Sequence, residues 1–307
     1  MTNKLFFSLA LVVWCFVASG CMSANECNAL SVEKTNVPLI HSDQRSTEFT
    51  IFSPEKQGVY PLIVFSHGAY SAPERYDALL RGLAATGFVV VAPLHIDSEL
   101  LTAGTAPPPH SETWSTRKED IALPLSRVAS LQAALTSAQL ADPADGYLAA
   151  GHSYGAFVAQ TLGGARAIGE QPETDSRLVG MIAFSPPGPI QGFIGDDAWQ
   201  SIATPQLVLT GTADVLPGFI DDWRAHAIAH QQPSAGDQWL WVGRDVDHYF
   251  GRVIGRLTRD TPPQSVAFTN ALAVSASFAA AAANTQRRGC LSPLKVHEDD
   301  VASLTRR

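Results

Sequence analysis

The sequence is short of cysteine, short of charge and without any basic cluster. Four cysteines in 307 residues argue against a thiolate-rich metal centre. The formal net charge is −8, and no stretch is rich in lysine or arginine. Such a chain offers nothing to a phosphate backbone or an anionic lipid surface, so neither nucleic acid nor a membrane surface is expected as a partner. No G-x-G-x-x-G loop follows a strand and no Walker loop occurs, which argues against a nucleotide cofactor. No internal repeat is visible. With 46% hydrophobic and 16% charged residues, disorder is excluded and a globular chain of one large or two small domains is implied.

The first twenty residues stand apart. Lys4 is followed by an apolar run, Leu5 to Val17, and then by Ala18-Ser19-Gly20-Cys21. A charged start, a short apolar core and a small-residue cleavage zone make a secretory signal; the run is too short to span a bilayer, which takes roughly 20 residues. Small residues directly before Cys21 resemble a bacterial lipoprotein signal, with Cys21 as the lipidated N-terminus, although Ala18 stands where leucine is usual. Simple secretion is the other reading. The expectation is an exported protein, an envelope lipoprotein or else periplasmic or secreted, touching a membrane only through such an anchor. Cys27 and Cys290 then remain, either bridged or as free thiols. A bridge would close a very long loop, for which chain entropy gives about 5 kcal/mol.

Short β-branched or aromatic runs bounded by Gly or Pro read as strands: 49–52, 62–66, 88–92, 147–150, 179–184, 206–210 and 239–242. Most are continuously apolar, as strands buried on both faces of a parallel sheet are. Helical patterns lie between them at 73–86, 121–135, 154–168, 218–230 and 266–282. Strand and helix in alternation predict an α/β domain, a mostly parallel sheet flanked by helices without a large cap, over residues 28–284. Residues 98–116 and 186–200 read as long loops, and 285–307 as a polar tail.

Residues 147–157 read "YLAAGHSYGAF". Ser153 falls where a strand turns into a helix, the context of a nucleophile elbow, and Gly151 and Gly155 leave room for strand and helix to pass closely. A serine hydroxyl needs a base. Among the histidines after Ser153, His226 and His230 lie in a predicted helix and His297 in the tail, whereas His248 follows the strand-like "WLWV". His248 is the expected base. Asp214, after "QLVLTGTA", is the expected carboxylate; Asp221, Asp222, Asp245 and Asp247 are alternatives, and Asp214 would also serve as a helix cap. The backbone amides of Ala69 and Tyr154 are the expected oxyanion donors, with Tyr70 in reserve. His67 and His152 are read as scaffold. Tyr70, Trp114, Trp199 and Tyr249 are candidates for the substrate pocket. The pair in "HAIAH" has zinc-ligand spacing but lacks the glutamate of H-E-x-x-H, so no metal is expected.

The segments "PLIVFSHGAYSAPERYDALLRGLAATGFVVVAPLH", "GHSYGAFVAQTLGG", "LTGTAD" and "DHYF" together resemble the α/β-hydrolase superfamily. The resemblance is to a dienelactone-hydrolase-like branch similar to chlorophyllases, platelet-activating-factor acetylhydrolases and bacterial polyester hydrolases, over about residues 45–283. It implies Ser153, Asp214 and His248 as a triad with the amides of Ala69 and Tyr154 as oxyanion hole. True dienelactone hydrolases use a cysteine where this sequence has Ser153. The function expected is a serine carboxylic-ester hydrolase on a small or polymeric ester. A lipase, thioesterase or peptidase would run on the same machinery, and a catalytically silent envelope binding protein is the reading from another class.

Overall fold

The computed structural model describes residues 27–232, 235–255 and 262–307. The expected signal segment and Cys21 lie outside the described residues. The chain runs β1 (Val32–Ile40), β2 (Ser46–Pro54), β3 (Gly58–Tyr60), β4 (Leu62–Ser66), α1 (Asp77–Ala85), β5 (Val89–Pro93), α2 (Glu99–Thr102), α3 (His110–Ala122), α4 (Val128–Ala134), β6 (Ala138–Leu140), β7 (Tyr147–His152), α5 (Tyr154–Thr161), β8 (Leu178–Phe184), β9 (Gln206–Ala213), α6 (Ile228–Gln231), β10 (Gln238–Asp247), α7 (Ser265–Ala282), β11 (His297–Glu298) and β12 (Ala302–Arg306).

Ten strands form one sheet in the order β1-β2-β5-β4-β7-β8-β9-β10-β12-β11. The middle, from β5 to β10, is parallel. Antiparallel pairs close both ends. This is the mostly parallel α/β sheet expected from the alternation of strand and helix, in the form the α/β-hydrolase resemblance implies. Side chains of a strand point alternately to its two faces, and here both are covered. Ile63, Phe65, Leu148, Ala150, Ile182 and Phe184 pack with α1 and α7. Leu62, Val64, Tyr147, Ala149, Met181 and Ala183 pack with α3, α4 and α5. That is why the strands read as continuous apolar runs. By length and composition α7 would cross a membrane, yet more than half of it is buried inside the fold.

Four expectations need correction. Residues 285–307 are not a polar tail: β12 pairs with β10, and Ala302 and Leu304 are buried in the core. The alternation of small apolar and polar residues over a short stretch hid a strand. Residues 98–116 are not one loop, since α2 and the first half of α3 lie there; three successive prolines mark the entry to α3, not continuous coil. The pattern at 121–135 is split by a 3₁₀ turn at Leu123–Ser126 with a proline at its start. The helix after Ser153 ends at Thr161.

Cys27 and Cys290 are bridged, with Cα atoms 5.0 Å apart and a sequence separation of 263. The link ties the segment leading into β1 to the turn after α7.

Candidate active site

The strand ends assemble the site. β7 closes at His152, opposite Phe184 of β8, and the Ser153 N–H donates to the Phe184 carbonyl at 2.8 Å. The chain turns there, leaving Ser153 at φ 54°, ψ −126°, a conformation that non-glycine residues adopt only when the surroundings enforce it. The enforcement is steric and mutual. A Cβ on Gly151 would come within 2.3 Å of the Gly155 carbonyl oxygen, and one on Gly155 within 2.1 Å of that of Ser66. Ser153, half-buried, faces a cavity of about 700 Å³.

Two neighbouring parallel strands bring Asp214 and His248 together. A register shift in β10 sets Asp247 opposite Ala213 of β9, so the two next residues leave the sheet side by side. His248 Nδ1 lies 2.7 Å from Asp214 Oδ1. The other carboxylate oxygen accepts from Ser185 Oγ at 2.6 Å and Thr210 Oγ1 at 2.8 Å. Burial pushes the Asp214 carboxyl up. The charge of His248 and the hydrogen bonds from His226 and His248 outweigh that and hold it well below the usual carboxylate range.

His226 was not expected here. Its Nε2 lies 3.0 Å from Asp214 Oδ1, and its Nδ1 donates to the Pro186 carbonyl at 2.8 Å. Burial works to lower its pKa, but Asp214 and the Pro186 carbonyl raise it on balance. Nδ1 is thus hydrogen-bonded, while Nε2 lies at ion-pair distance from Asp214 without hydrogen-bond geometry. Among the described residues, Asp214, His226 and His248 are the group whose donor atoms could converge on a metal ion. Their N···O separations are hydrogen-bond lengths, and Asp214 spends its remaining oxygen on two hydroxyls, so the cluster reads as an ion pair and not as a metal centre. The spacing of "HAIAH" shows none of this, because the partner of His226 is Asp214 and not His230. His230 lies on α6 and is not part of this group. Asp221 and Asp222 bond to nearby backbone amides of their own loop. Asp247 caps the amides of Tyr249 and Gly251.

His152 is scaffold, as expected. It accepts at Nδ1 from Tyr76 Oη at 2.8 Å and donates from Nε2 to the His248 carbonyl at 2.8 Å. Burial and the neighbouring His248 lower its pKa to about 3, so the ring stays neutral. Its ring centroid lies 4.7 Å from that of His248, which ties the serine turn to the histidine loop.

The loop after β4 carries the other half of the site. The Gly68 N–H donates to Tyr76 Oη, and the Tyr70 N–H to Asp97 Oδ2 at 3.2 Å. Tyr70 is therefore no reserve oxyanion donor. The Ala69 N–H makes no hydrogen bond among the described residues, and Ala69 lines the cavity beside Ser153 and Tyr154. His67 donates from Nδ1 to the Gly68 carbonyl and accepts at Nε2 from the His95 N–H, a holding role.

The cavity wall comes from both irregular segments, through Pro107, Pro108, Pro187, Ile190 and Phe193, and from Leu216 and Phe219. Tyr70 and Tyr249 line it as well. Trp114 and Trp199 do not. Trp114 is stacked on Tyr154 and Phe157 with its indole N–H on Glu170; Trp199 is buried against Phe157 and donates to Gln160. Both are core residues behind the wall.

A family model for chlorophyllase matches residues 22–185, more than half of the chain. The chain belongs to the chlorophyllase family. The match contains Ser153 and the Ala69 loop and stops short of Asp214 and His248. The chain is 44% identical over 43 residues to chlorophyllase type 0 of Chenopodium album, a stretch covering 14% of this chain and 12% of that relative. A solved structure of a Klebsiella pneumoniae subsp. pneumoniae MGH 78578 protein described as a dienelactone hydrolase superposes with a TM-score of 0.55 at 14% identity, over 81% of this chain and 99% of that one; the likeness is one of fold. The fold and the family match are those of hydrolases of the dienelactone-hydrolase and chlorophyllase type.

Proposed function

We propose that this chlorophyllase-family hydrolase is a serine carboxylesterase that works through an acyl-enzyme, with Ser153 as nucleophile, His248 as base and Asp214 as the carboxylate that orients it. The observation that carries the reading is the 2.7 Å contact between His248 Nδ1 and Asp214 Oδ1 at strand ends adjoining a serine in elbow geometry. Asp214 holds the tautomer with its proton on Nδ1, which leaves the Nε2 lone pair to take the serine proton. Ser153 Oγ then attacks the ester carbonyl, and the oxygen becomes an oxyanion between the amides of Ala69 and Tyr154. Each such donor contributes roughly 3–4 kcal/mol to the transition state. Collapse expels the alcohol, protonated by His248; water activated by the same histidine then releases the acid.

The apolar wall suits an ester with a bulky apolar part, which would displace water from Ile190, Phe193, Leu216 and Phe219. The Cys27–Cys290 bridge supports an exported chain, because such bridges persist in oxidising compartments.

The test is turnover of p-nitrophenyl esters of graded chain length by the wild type and Ser153→Ala. Loss of turnover in the variant is expected, together with fluorophosphonate labelling at Ser153. Turnover that persists in the variant, or a label mapped to another residue, overturns the mechanism.

A further inference from the structure

We infer that Arg117 is the positioning residue that aims both oxyanion donors; this rests on the serine-hydrolase reading above. Arg117 is completely buried on α3, and its guanidinium is spent in two directions. Nε and Nη2 grip Asp97 Oδ1 and Oδ2, each at 2.9 Å. Nη1 donates to the His67 carbonyl at 2.6 Å and Nη2 to the Gly68 carbonyl at 3.1 Å. A planar fork with five N–H groups can do this; an ammonium cannot.

The consequence follows from peptide geometry. No peptide bond among the described residues is cis, and in a trans peptide the carbonyl and the following N–H point to opposite sides. Holding the Gly68 oxygen on Arg117 turns the Ala69 N–H away from Arg117. The next peptide is pinned as well: Asp97, itself held by Arg117, accepts the Tyr70 N–H, and Tyr70 sits at φ 61°, a left-handed conformation that costs roughly 1–2 kcal/mol outside glycine. On its other side the guanidinium carbon lies 4.8 Å from the centre of the Tyr154 ring. Tyr154 carries the second expected amide. One buried cation therefore contacts both donor-bearing segments.

The test compares Arg117→Lys and Asp97→Asn with Arg45→Gln. Arg45 belongs to the outer end of the same polar layer, bonded to Asp120 and Glu119, and holds no loop carbonyl. For Arg117→Lys, kcat should fall by up to about 100-fold, the lower end of the roughly 100- to 1,000-fold loss on removing a whole oxyanion donor, with KM within about threefold. The second-order rate of fluorophosphonate labelling at Ser153 should fall with kcat. Asp97→Asn should show the same split more weakly, and it carries the test should Arg117→Lys fail to fold. Arg45→Gln should lower the melting temperature while keeping kcat. Wild-type values of kcat and labelling rate in both Arg117→Lys and Asp97→Asn would overturn the inference, as would an equal fall in kcat for Arg45→Gln. A wild type that is never labelled at Ser153 fails the hydrolase mechanism instead, so the two failures are distinguishable.

Discussion

His226 Nε2 lies 3.0 Å from Asp214 Oδ1, the same oxygen that His248 engages at 2.7 Å. Two histidines thus share one buried carboxylate oxygen. Asp214 and the Pro186 carbonyl raise the pKa of His226; where His226 is protonated, its charge beside the proposed base weakens the hold of Asp214 on a protonated His248. His226→Gln removes that charge. The acid limb of the kcat/KM profile should then move upward by about one pH unit, since a neighbouring charge shifts a pKa by about that much or more. An unmoved limb would show that His226 is neutral.

Stability should fall in mild acid. His67, His95 and His152 are fully buried, and burial lowers the pKa of each. The folded state therefore refuses protons that the unfolded chain takes up below its ordinary histidine value of about 6.5. Unfolding free energy should drop as pH falls from about 6.5, by up to about 1.4 kcal/mol per pH unit for each neutral histidine. Asp214 and Asp120, held below their usual range, add stability that is present above the unfolded carboxylate pKa near 4 and lost as pH falls below it. His226, with a raised pKa, is protonated in both states below 6.5 and does not offset the loss. Urea midpoints followed by circular dichroism between pH 7 and 4 would check this; a flat profile contradicts it.

The Cys27–Cys290 bridge spans nearly the whole described chain. Loop-closure entropy gives about 5 kcal/mol for such a length, with measured values of 2–4 more usual. Cys290→Ser should lower the melting temperature by several degrees and leave kcat within about twofold, because the bridge is remote from the cavity. Differential scanning calorimetry with parallel kinetics decides it.

Gly155→Ala should abolish activity. Its Cβ would sit 2.1 Å from the Ser66 carbonyl oxygen and 2.4 Å from that of His67, and these are backbone atoms that cannot rotate aside. Relief requires α5 to back away from β4, which displaces Ser153 and the Ala69 loop together. A cost of about 3 kcal/mol in stability is expected, with loss of fluorophosphonate labelling. Retained labelling would show that the elbow tolerates the shift.

The parts of this molecule that were legible beforehand are those whose cause is local or repeats along the chain. The sheet and its flanking helices could be read because a strand covered on both faces must be apolar at every position. The elbow could be read because a strand-to-helix turn needs small residues on both sides of Ser153, in one short stretch. Chain order alone then sufficed to nominate Asp214 and His248. The strand β12 was not legible, since it alternates with polar residues and its partner β10 lies about sixty residues away. Arg117 and His226 were hidden for the same reason in stronger form. Nothing around Arg117 says that its guanidinium meets the carbonyls of a loop fifty residues earlier, and nothing in "HAIAH" says that its first histidine meets Asp214. Trp114 and Trp199 looked like pocket walls because aromatic residues in long loops so often are; packing turned both inward. By itself, then, the sequence determined the fold class and the tight elbow around Ser153, because hydrophobic period and steric demand are written locally. Which buried charges pair, which ring lines the cavity and which amide remains free were decided by tertiary structure, because each depends on what the fold brings within about 3 Å.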